Sequence, residues 1–485
     1  MVLLVLRAGR RSGAVVGGLI AAALLSACAT SAPPAPEIAD VPMPEAFARS
    51  GEAPLPEQWW RHFEDPRLDS VVEEALGGSF SLAAARARLR AARAMAEGQG
   101  AAQLPRLDAS VGGQSVRDGG DSQESYSAGA TASYEVDLWG RIESRSEASR
   151  LDAEATAADL RAAAVTLTAD TATAYYTFRR QQMAVSLLQD QLETSRRVAS
   201  LVETQYRNGQ AHRDAVLRQR EAISGIQAQL ESARGELERL HNTLAALVGK
   251  PPQALELPPA ESAGAALAEV PPLPETGVPA EWLQRRPDLQ AAWLRVRSAD
   301  AQMAAAITER YPRIDLSLSS QGTAQRPGAV FDNWLTTLAA NLSVPLFRGG
   351  ELAAQADRAR AQRAVAFNEY AQTALDALAE VETALAAEHY GRRRLERLEA
   401  RLRDAERASE LLRSRYRNGA VPYLDVLTAV SSLQQAERDL LNARWALILD
   451  RVTLSRTLAG AWDGPAVRAS EPSADEYRQR SRGAS

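Results

Sequence analysis

The stretch Tyr206-Arg207-Asn208-Gly209 recurs 210 residues later as Tyr416-Arg417-Asn418-Gly419. Nearer the start of each copy, Pro105-Arg106-Leu107-Asp108 recurs 207 residues later as Pro312-Arg313-Ile314-Asp315. Because the matches keep the same order and nearly the same offset, the chain is a duplication of one unit of roughly 200 residues. The sequence predicts a first repeat at 57–249, a linker rich in proline and alanine at 250–278, and a second repeat at 279–460.

A very long helical segment precedes each of the two Asn-Gly pairs, at about 141–206 and about 350–416. At 1.5 Å per residue each helix would be about 100 Å long, which is more than a globular domain needs. The apolar residues alternate in steps of three and four, the spacing of a coiled-coil seam. In the second repeat the seam consists of Leu395, Leu398, Leu402, Ala405, Ser409, Leu412 and Tyr416. The glycines predict helix ends, since glycine readily takes the left-handed conformation that stops a helix.

Two segments in each repeat alternate apolar and polar side chains with a period of two, which predicts β-strands. The predicted strands lie at about 104–115, 125–138, 312–322 and 333–346. Strands of this length suit a tilted membrane crossing, with the apolar side chains toward lipid. The side chains expected to face lipid are Tyr126, Tyr134, Val136, Leu138, Trp334, Leu338, Leu342 and Val344.

The strand pattern has a second interpretation, because a soluble antiparallel sheet packed on a helix would alternate in the same way. The long helices favour the membrane interpretation, and so does a sequence at residues 25–28 that resembles a lipid-attachment signal. Four strands cannot close a barrel, which takes at least about eight. The chain must then oligomerise, and the strand pattern does not choose between two copies with eight strands and three copies with twelve.

The amino terminus has the features of a bacterial secretory signal. Arginines at 7, 10 and 11 precede an apolar run at 14–25, and Leu25-Ser26-Ala27-Cys28 resembles a lipobox, whose cysteine becomes the lipid-modified first residue. We therefore predict a lipoprotein signal peptide at 1–27, lipid attachment at Cys28 and an extended tether at 28–56. The alternative is an ordinary signal peptide that happens to contain a cysteine. Ala29 follows, where enteric bacteria use aspartate to retain lipoproteins at the inner membrane, so the outer membrane is favoured.

Composition excludes several classes of protein. The 485 residues include one cysteine, which excludes a disulfide scaffold, an iron–sulfur site and a cysteine-based zinc site. The formal charge of -5 does not suggest nucleic-acid binding. The four histidines are scattered without ligand spacing, and the chain has no phosphate loop or nucleophile motif. We expect no catalytic residues, no metal and no cofactor. The segment 461–485 is predicted to be a flexible tail.

Several motifs together resemble the TolC-like outer membrane efflux proteins, and within them the lipoprotein (NodT-type) branch that serves resistance–nodulation–division pumps. These are the duplicated helix–strand–strand–long-helix plan, the lipobox, Trp59-Trp60, Asp65-Pro66, Arg285-Arg286-Pro287-Asp288-Leu289 and the two Tyr-Arg-Asn-Gly stretches. The resemblance runs from about Gln58 to Gly460. It implies a mainly α fold with a transmembrane β-barrel. Three copies would form a twelve-stranded outer membrane barrel continuous with a periplasmic α-helical coiled-coil barrel.

The resemblance also implies a function. The trimer would be the exit duct of a tripartite pump, docked to a periplasmic adaptor and, through it, to an inner-membrane resistance–nodulation–division transporter. It would conduct small molecules passively across the periplasm and outer membrane of a Gram-negative bacterium, with its acyl chains in outer membrane lipid. Two alternatives stay open: the outer membrane channel of a type I protein secretion system, and a structural coiled-coil envelope lipoprotein. The sequence does not indicate the exported substrate.

By the same resemblance, the two turns per chain would form a ring of six that closes the tunnel and meets the adaptor. The docking residues would be Arg207, Asn208, Gly209, Arg417, Asn418, Gly419 and Leu424. Asp214 and Asp425 are expected in or near the first turns of the returning helices, where the helix dipole favours a carboxylate. Tyr416 is the one gate candidate. Well-known members carry a charged gate residue two positions after the second glycine, whereas this chain has Val421, followed by Pro422.

Overall fold

The computed structural model describes residues 44–54, 58–119, 121–257 and 267–458. Cys28, the predicted signal peptide and the predicted tail at 461–485 lie outside the described residues. The helices are α1 (Pro66–Gly78), α2 (Phe80–Gly100), α3 (Arg141–Arg207), α4 (Arg213–Val248), α5 (Pro279–Arg285), α6 (Pro287–Thr308), α7 (Glu351–Arg417) and α8 (Tyr423–Leu458). The strands are β1 (Arg106–Asp118), β2 (Asp121–Val136), β3 (Arg313–Ala324) and β4 (Trp334–Ser343).

The long helices show how closely the two repeats correspond. Helices α3 and α7 both have 67 residues, and the returning helices α4 and α8 both have 36. The predicted long helices are therefore present, and each ends one residue later than predicted. Across the described ranges, none of the helices is both long enough and apolar enough to cross a membrane.

The four strands form one antiparallel sheet in the order β1-β2-β3-β4. Its register places apolar side chains of all four strands on one face, since Leu107 pairs with Ala132, Ala132 with Leu318, and Leu318 with Leu338. The opposite face carries serine, threonine and charged side chains. Leu338 is 77% exposed in the single chain, so the apolar face is uncovered here. The period-two pattern thus becomes a two-faced sheet, with β1 and β4 as its edges.

The hairpin between β1 and β2 is longer than predicted. Strand β1 continues to Asp118 and β2 begins at Asp121, whereas the sequence pattern ended and restarted at about 115 and 125. The added residues are mostly polar, so apolar alternation could not reveal them. Backbone pairing nevertheless continues to a turn at Gly119, whose φ of +57° suits glycine.

Strands β2 and β4 end earlier than predicted, whereas β3 ends two residues later. Leu138 and Val344 were expected in strands facing lipid, but both lie just beyond the last residues of β2 and β4. After β2 the carboxylate of Asp137 accepts hydrogen bonds from the backbone N–H groups of Arg141 (2.7 Å) and Glu143 (2.8 Å), which starts α3. After β4 comes Pro345, which has no N–H to donate to the ladder.

The described residues form two compact units. One consists of Met95–Leu151 and Arg295–Asn368 and contains the sheet, and the remaining described residues form the other. The second unit has a hydrophobic core around Trp59, Trp60 and Phe63. Next to this core, Asp65 begins α1 by accepting hydrogen bonds from the backbone N–H groups of the second and third residues after it, at 3.0 and 3.3 Å.

Candidate functional site: the paired helical turns

The turn between α3 and α4 is a Schellman motif. The N–H of Gly209 donates to the carbonyl of Tyr206 (3.0 Å), and the N–H of Gln210 donates to the carbonyl of Gln205 (2.8 Å). These two bonds satisfy carbonyl groups that a helix end leaves without partners. Gly209 has a φ of +74°, a conformation that is strained for a residue with a Cβ atom.

The turn between α7 and α8 repeats this geometry. The N–H of Gly419 donates to the carbonyl of Tyr416 (2.9 Å), and the N–H of Ala420 donates to the carbonyl of Arg415 (2.9 Å). Gly419 has a φ of +71°. The predicted helix ends are therefore present at both glycines, for the predicted reason. The six residues assigned to docking in the two turns are all exposed: Arg207, Asn208, Gly209, Arg417, Asn418 and Gly419.

Carboxylates lie in the first turns of both returning helices, as predicted. Asp214 is in the first turn of α4, where its carboxylate is 3.7 Å from Arg218 on the same helix face. Asp425 is in the first turn of α8, directly after the exposed Leu424. The exposed surface of the turns therefore combines arginine, carboxylate and one large apolar side chain.

Beneath the turns, α3, α4, α7 and α8 pack around a small hydrophobic cluster. Its buried members are Val202, Ala215, Val216, Tyr416, Tyr423, Val426 and Val430. The rings of Tyr416 and Tyr423 are 5.9 Å apart. Val421 packs against this cluster, so the position where well-known members carry a gate charge contributes to an apolar contact here.

The two turns differ in how their tyrosines are placed. Tyr416 is 8% exposed, whereas Tyr206, at the equivalent position of the first repeat, is 45% exposed. Burial raises the pKa of Tyr416, and its hydroxyl makes no hydrogen bond within the described part of the chain. The gate candidate is thus a buried, neutral side chain and not an exposed one.

A hydrogen-bonded chain of side chains joins the helices at this level. The hydroxyl of Tyr423 in α8 donates to Oε1 of Gln219 in α4, and Nε2 of Gln219 donates to the carbonyl of Ser195 in α3 (2.7 Å). Burial raises the pKa of Tyr423 to about 12, so the hydroxyl keeps its proton at neutral pH. Three helices from the two repeats are therefore connected through two buried side chains.

A second polar contact joins α3 to α8 farther from the turns. Nε2 of Gln191 donates to the carboxylate of Glu437 (2.7 Å), and its Oε1 accepts from the guanidinium of Arg438 (2.8 Å). Gln434 also donates to Oγ of Ser195, at 3.5 Å. The amide side chains along this seam fix how α8 lies against α3.

Sequence reasoning missed Gln219 and Tyr423. The signal was available by comparing the repeats, since Gln219 corresponds to Ala429 and Tyr423 corresponds to Arg213 at the offset of 210. Where two otherwise matching copies carry different residues, the shared fold requires neither of them. Such positions are therefore candidates for a role in one copy only. Among the described residues, histidine and the carboxylates form no group that could hold a metal ion.

A family model for outer membrane efflux proteins matches residues 71–250 and 278–460. The chain is 32% identical over 459 residues to the pyoverdine export outer membrane protein OpmQ of Pseudomonas aeruginosa, covering 90% of this chain and 95% of that protein. It is 30% identical over 451 residues to the toluene efflux pump outer membrane protein TtgC of Pseudomonas putida, covering 89% and 91%.

The fold is similar to the crystal structure of the open state of the MtrE outer membrane channel of Neisseria gonorrhoeae. The TM-score is 0.80 and the identity 28%, with 89% of this chain and 99% of that chain covered. These matches confirm the fold class and the family predicted from the repeated motifs. The chain belongs to the outer membrane efflux protein family, a family of transport channels.

Proposed function

We propose that three copies of this chain form the outer membrane exit duct of a tripartite efflux pump. The observation that carries the proposal is the two-faced, four-stranded sheet whose apolar face is uncovered in the single chain. An uncovered apolar face is favourable against lipid and costly in water. The sheet is too small to close on itself, so its edges need partners.

The sheet topology supports closure by copies of the same chain. All neighbouring strands are antiparallel, and therefore the edge strands β1 and β4 also run in opposite directions. Strand β4 of one copy can then extend the antiparallel ladder of β1 in the next copy without a break in pattern. Three copies supply twelve strands, the barrel implied by the family resemblance.

The paired turns are the proposed periplasmic end of the duct. They present exposed backbone and side chains on Schellman turns that are fixed by hydrogen bonds, which makes a well-defined surface for a helical partner. We assign docking of a periplasmic adaptor to this surface, and through the adaptor a connection to an inner-membrane transporter of the resistance–nodulation–division class. The buried contacts of Tyr416, Tyr423 and Gln219 beneath the surface would hold the end of the duct closed.

The proposal also includes a lipid anchor at the amino terminus and the boundaries of the two repeats. Cys28 is the proposed acylation site after removal of 1–27, with 28–56 as the tether to the first repeat at 57–249. The linker at 250–278 leads to the second repeat at 279–460. Radiolabelled palmitate should label the wild-type chain and leave a Cys28→Ala variant unlabelled. Equal labelling of both would remove the lipid-anchor assignment.

The proposed cargo is a small molecule, conducted passively and without chemistry in this component. Relatives named for pyoverdine export and for toluene efflux support this choice over protein secretion. A fluorescent efflux dye should accumulate in a strain deleted for this chain, and re-expression should restore low accumulation. No change in accumulation of any small-molecule probe, together with lost secretion of a protein, would favour the type I alternative.

Docking is tested by crosslinking in intact cells. Asn208→Cys places a reactive thiol on the exposed first turn without altering its glycine, and a thiol-reactive photocrosslinker there should capture the adaptor. Gly225→Cys is the matched control, because Gly225 is also exposed but lies about 18 Å along α4 from its start. Capture at position 225 and not at position 208, in cells that still export the dye, would contradict the docking assignment.

A further inference from the structure

A cavity of about 540 Å³ lies beside the core of the second unit, away from the paired turns. Its walls come from three parts of the chain: residues 62–66 at the entry to α1, two side chains of α3, and residues 267–272 of the linker. The volume falls in the range of sites that hold small organic molecules. The proposed duct function uses none of these residues.

A buried polar group lines this cavity without a partner of its own. Tyr176 of α3 is 1% exposed, and its hydroxyl makes no hydrogen bond to any described residue. Burial holds the pKa of Tyr176 far above its ordinary value, and the hydroxyl is therefore neutral. A neutral buried hydroxyl without a partner costs free energy, and a ligand that hydrogen-bonds to it would remove that cost.

The entrance includes a strained residue. Glu64 has a φ of +50°, and among the described residues no other non-glycine residue has a positive φ. Its neighbours fix this conformation, since Phe63 is buried in the core and the N–H of Glu64 donates to the carbonyl of Arg61 (3.1 Å). Strained backbone residues of this kind cluster at active sites and ligand-binding sites. Glu64 takes this conformation as the residue that ends the 3-10 turn at 59–63, and it lies at the cavity wall.

The charges around the cavity are unbalanced. Among the described residues that line it, there are three carboxylates, those of Glu64, Asp65 and Glu269, against the guanidinium of Arg179 and the side chain of His62. The carboxylate of Asp65 is already bonded to backbone N–H groups of α1 and to the hydroxyl of Tyr175. The carboxylates of Glu64 and Glu269 are exposed and make no ion pair within the described residues.

Apolar side chains complete the lining, among them Phe63, Leu267 and Val270. A bare metal ion does not fit this lining, because the described residues form no group of metal-ligating side chains here. The uncompensated carboxylates repel an anion. An organic ammonium ion with an apolar body fits both parts, since its charge meets the carboxylates and its body meets the apolar wall.

We propose that this cavity binds small organic cations of the amphiphilic amine class. The ammonium group would lie between Glu64 and Glu269 and donate a hydrogen bond toward the hydroxyl of Tyr176, with the apolar body against Leu267 and Val270. The site shares no residue with the paired turns or with the cluster beneath them. Its existence does not depend on the proposed function.

Isothermal titration of the full chain in lipid nanodiscs, with empty nanodiscs as the blank, tests the site. The probes are 2-phenylethylamine, which is charged at pH 7, its neutral analogue 2-phenylethanol, and spermidine, which is charged but lacks an apolar body. We expect the charged arylamine to bind at least tenfold more tightly than either of the others. Equal affinity for the alcohol would overturn the role of charge, and tighter binding of spermidine would overturn the role of the apolar wall.

Variants locate the binding. The double variant Glu64→Gln with Glu269→Gln should lower affinity for the arylamine at least tenfold, and Tyr176→Phe should lower it several-fold. Glu231→Gln is the control, because Glu231 is an exposed carboxylate of α4 outside the cavity. Unchanged helical circular dichroism separates lost binding from lost folding. No heat above the blank for the wild-type chain, or wild-type affinity in the double variant, would overturn the site.

Discussion

The hydroxyl of Tyr423, the first residue of α8, donates a hydrogen bond to the side-chain carbonyl of Gln219 in α4. This bond crosses from the second repeat to the first. Because Gln219 also donates to the carbonyl of Ser195 in α3, the start of α8 is connected to both α3 and α4 of the other repeat. Tyr416 packs on the ring of Tyr423 and adds α7 to the same contact. In the proposed duct, this group would hold the end at the paired turns closed.

Removing the hydroxyl of Tyr423 should loosen the turns. A Tyr423→Phe variant loses one buried hydrogen bond, which contributes about 0.5–1.5 kcal/mol, and leaves Oε1 of Gln219 unpaired. Arg207 and Arg417 are exposed trypsin sites in the two turns. Limited trypsin cleavage there should accelerate about 2–10-fold, because cleavage follows the population of locally opened chains.

Tyr206→Phe is the matched control for that experiment. Tyr206 is the equivalent of Tyr416 in the first repeat, is partly exposed and has no assigned role in the buried contact. Its cleavage rate should stay at the wild-type value. A rate in Tyr423→Phe that matches the control would show that the inter-repeat bond does not hold the turns.

Alanine at either turn glycine should destabilise the local structure through the backbone alone. A Cβ atom on Gly209 or Gly419 would meet nothing within 4 Å, so steric contact adds no cost. The left-handed conformation of a non-glycine residue costs about 1–2 kcal/mol. Hydrogen exchange of the turn amides in Gly209→Ala and Gly419→Ala should accelerate about 5–30-fold.

Alanine at Gly225, which lies inside a helix, should have the opposite effect on hydrogen exchange. It lies inside α4, and an added Cβ atom would also meet nothing within 4 Å. Gly225→Ala should therefore slow exchange in α4, since alanine is favoured over glycine in a helix by about 0.5–1 kcal/mol. Slower exchange in the turn variants as well would contradict the Schellman assignment.

The buried ion pair between Glu388 and Arg451 should be the most sensitive pair in the second unit. The two side chains are 3% and 2% exposed, and Arg451 also donates to the carbonyls of Pro271 (2.5 Å) and Pro272 (2.6 Å) in the linker. Arg451→Met would leave a buried carboxylate without its main partner, at a cost of about 3–5 kcal/mol. We expect the thermal unfolding midpoint to fall by about 5–10 °C.

Replacing both partners together, as Glu388→Leu with Arg451→Met, should recover most of that loss, because both buried charges are removed and Arg392, which also pairs with Glu388, is half-exposed to water. Arg444→Met is the control, since Arg444 pairs with Glu399 at the surface and such pairs contribute about 0–1 kcal/mol. A midpoint for Arg451→Met equal to that of the control would contradict the importance of the buried pair.

Asp450 should destabilise the folded chain at neutral pH. Burial and the nearby charge of Glu388 raise the pKa of Asp450 above its ordinary value of 3.8. A carboxyl with a raised folded pKa is ionised at a cost at neutral pH, and the cost disappears as the pH falls through the folded pKa. Asp450→Asn should therefore raise the unfolding midpoint by about 1–2 °C at pH 7 and by less at acid pH. A gain that grows on acidification would contradict this sign.

Much of the fold was predictable because it depends on periodicity and repetition. The three-four spacing of the long helices and the period-two strands are local patterns, and the duplication gave each of them twice. The strand ends were not predictable, since Asp137 ends β2 by starting a helix and the hairpin continues through polar residues. Backbone pairing does not need the apolar pattern that predicts it.

The candidate site was predicted in its exposed part only. Asn208-Gly209 and Asn418-Gly419 were recognisable because glycine is needed at a left-handed position. The buried bond of Gln219 to Tyr423 joins residues 204 positions apart, and its geometry depends on how four helices pack. Tyr416 and Tyr206 occupy equivalent positions in sequence, yet only one of them is buried.

The most direct measurement is the current through single oligomers of the purified chain in planar lipid bilayers. The wild-type chain should give discrete, small conductance steps, because in the proposed duct the barrel would span the membrane and the contacts of Tyr416, Tyr423 and Gln219 would keep the far end closed. The double variant Gln219→Ala with Tyr423→Phe should give steps several-fold larger, since it removes the bond that ties α8 to the other repeat. An intact oligomer that gives no steps, or a double variant whose steps equal those of the wild type, would contradict an exit duct closed at the paired turns.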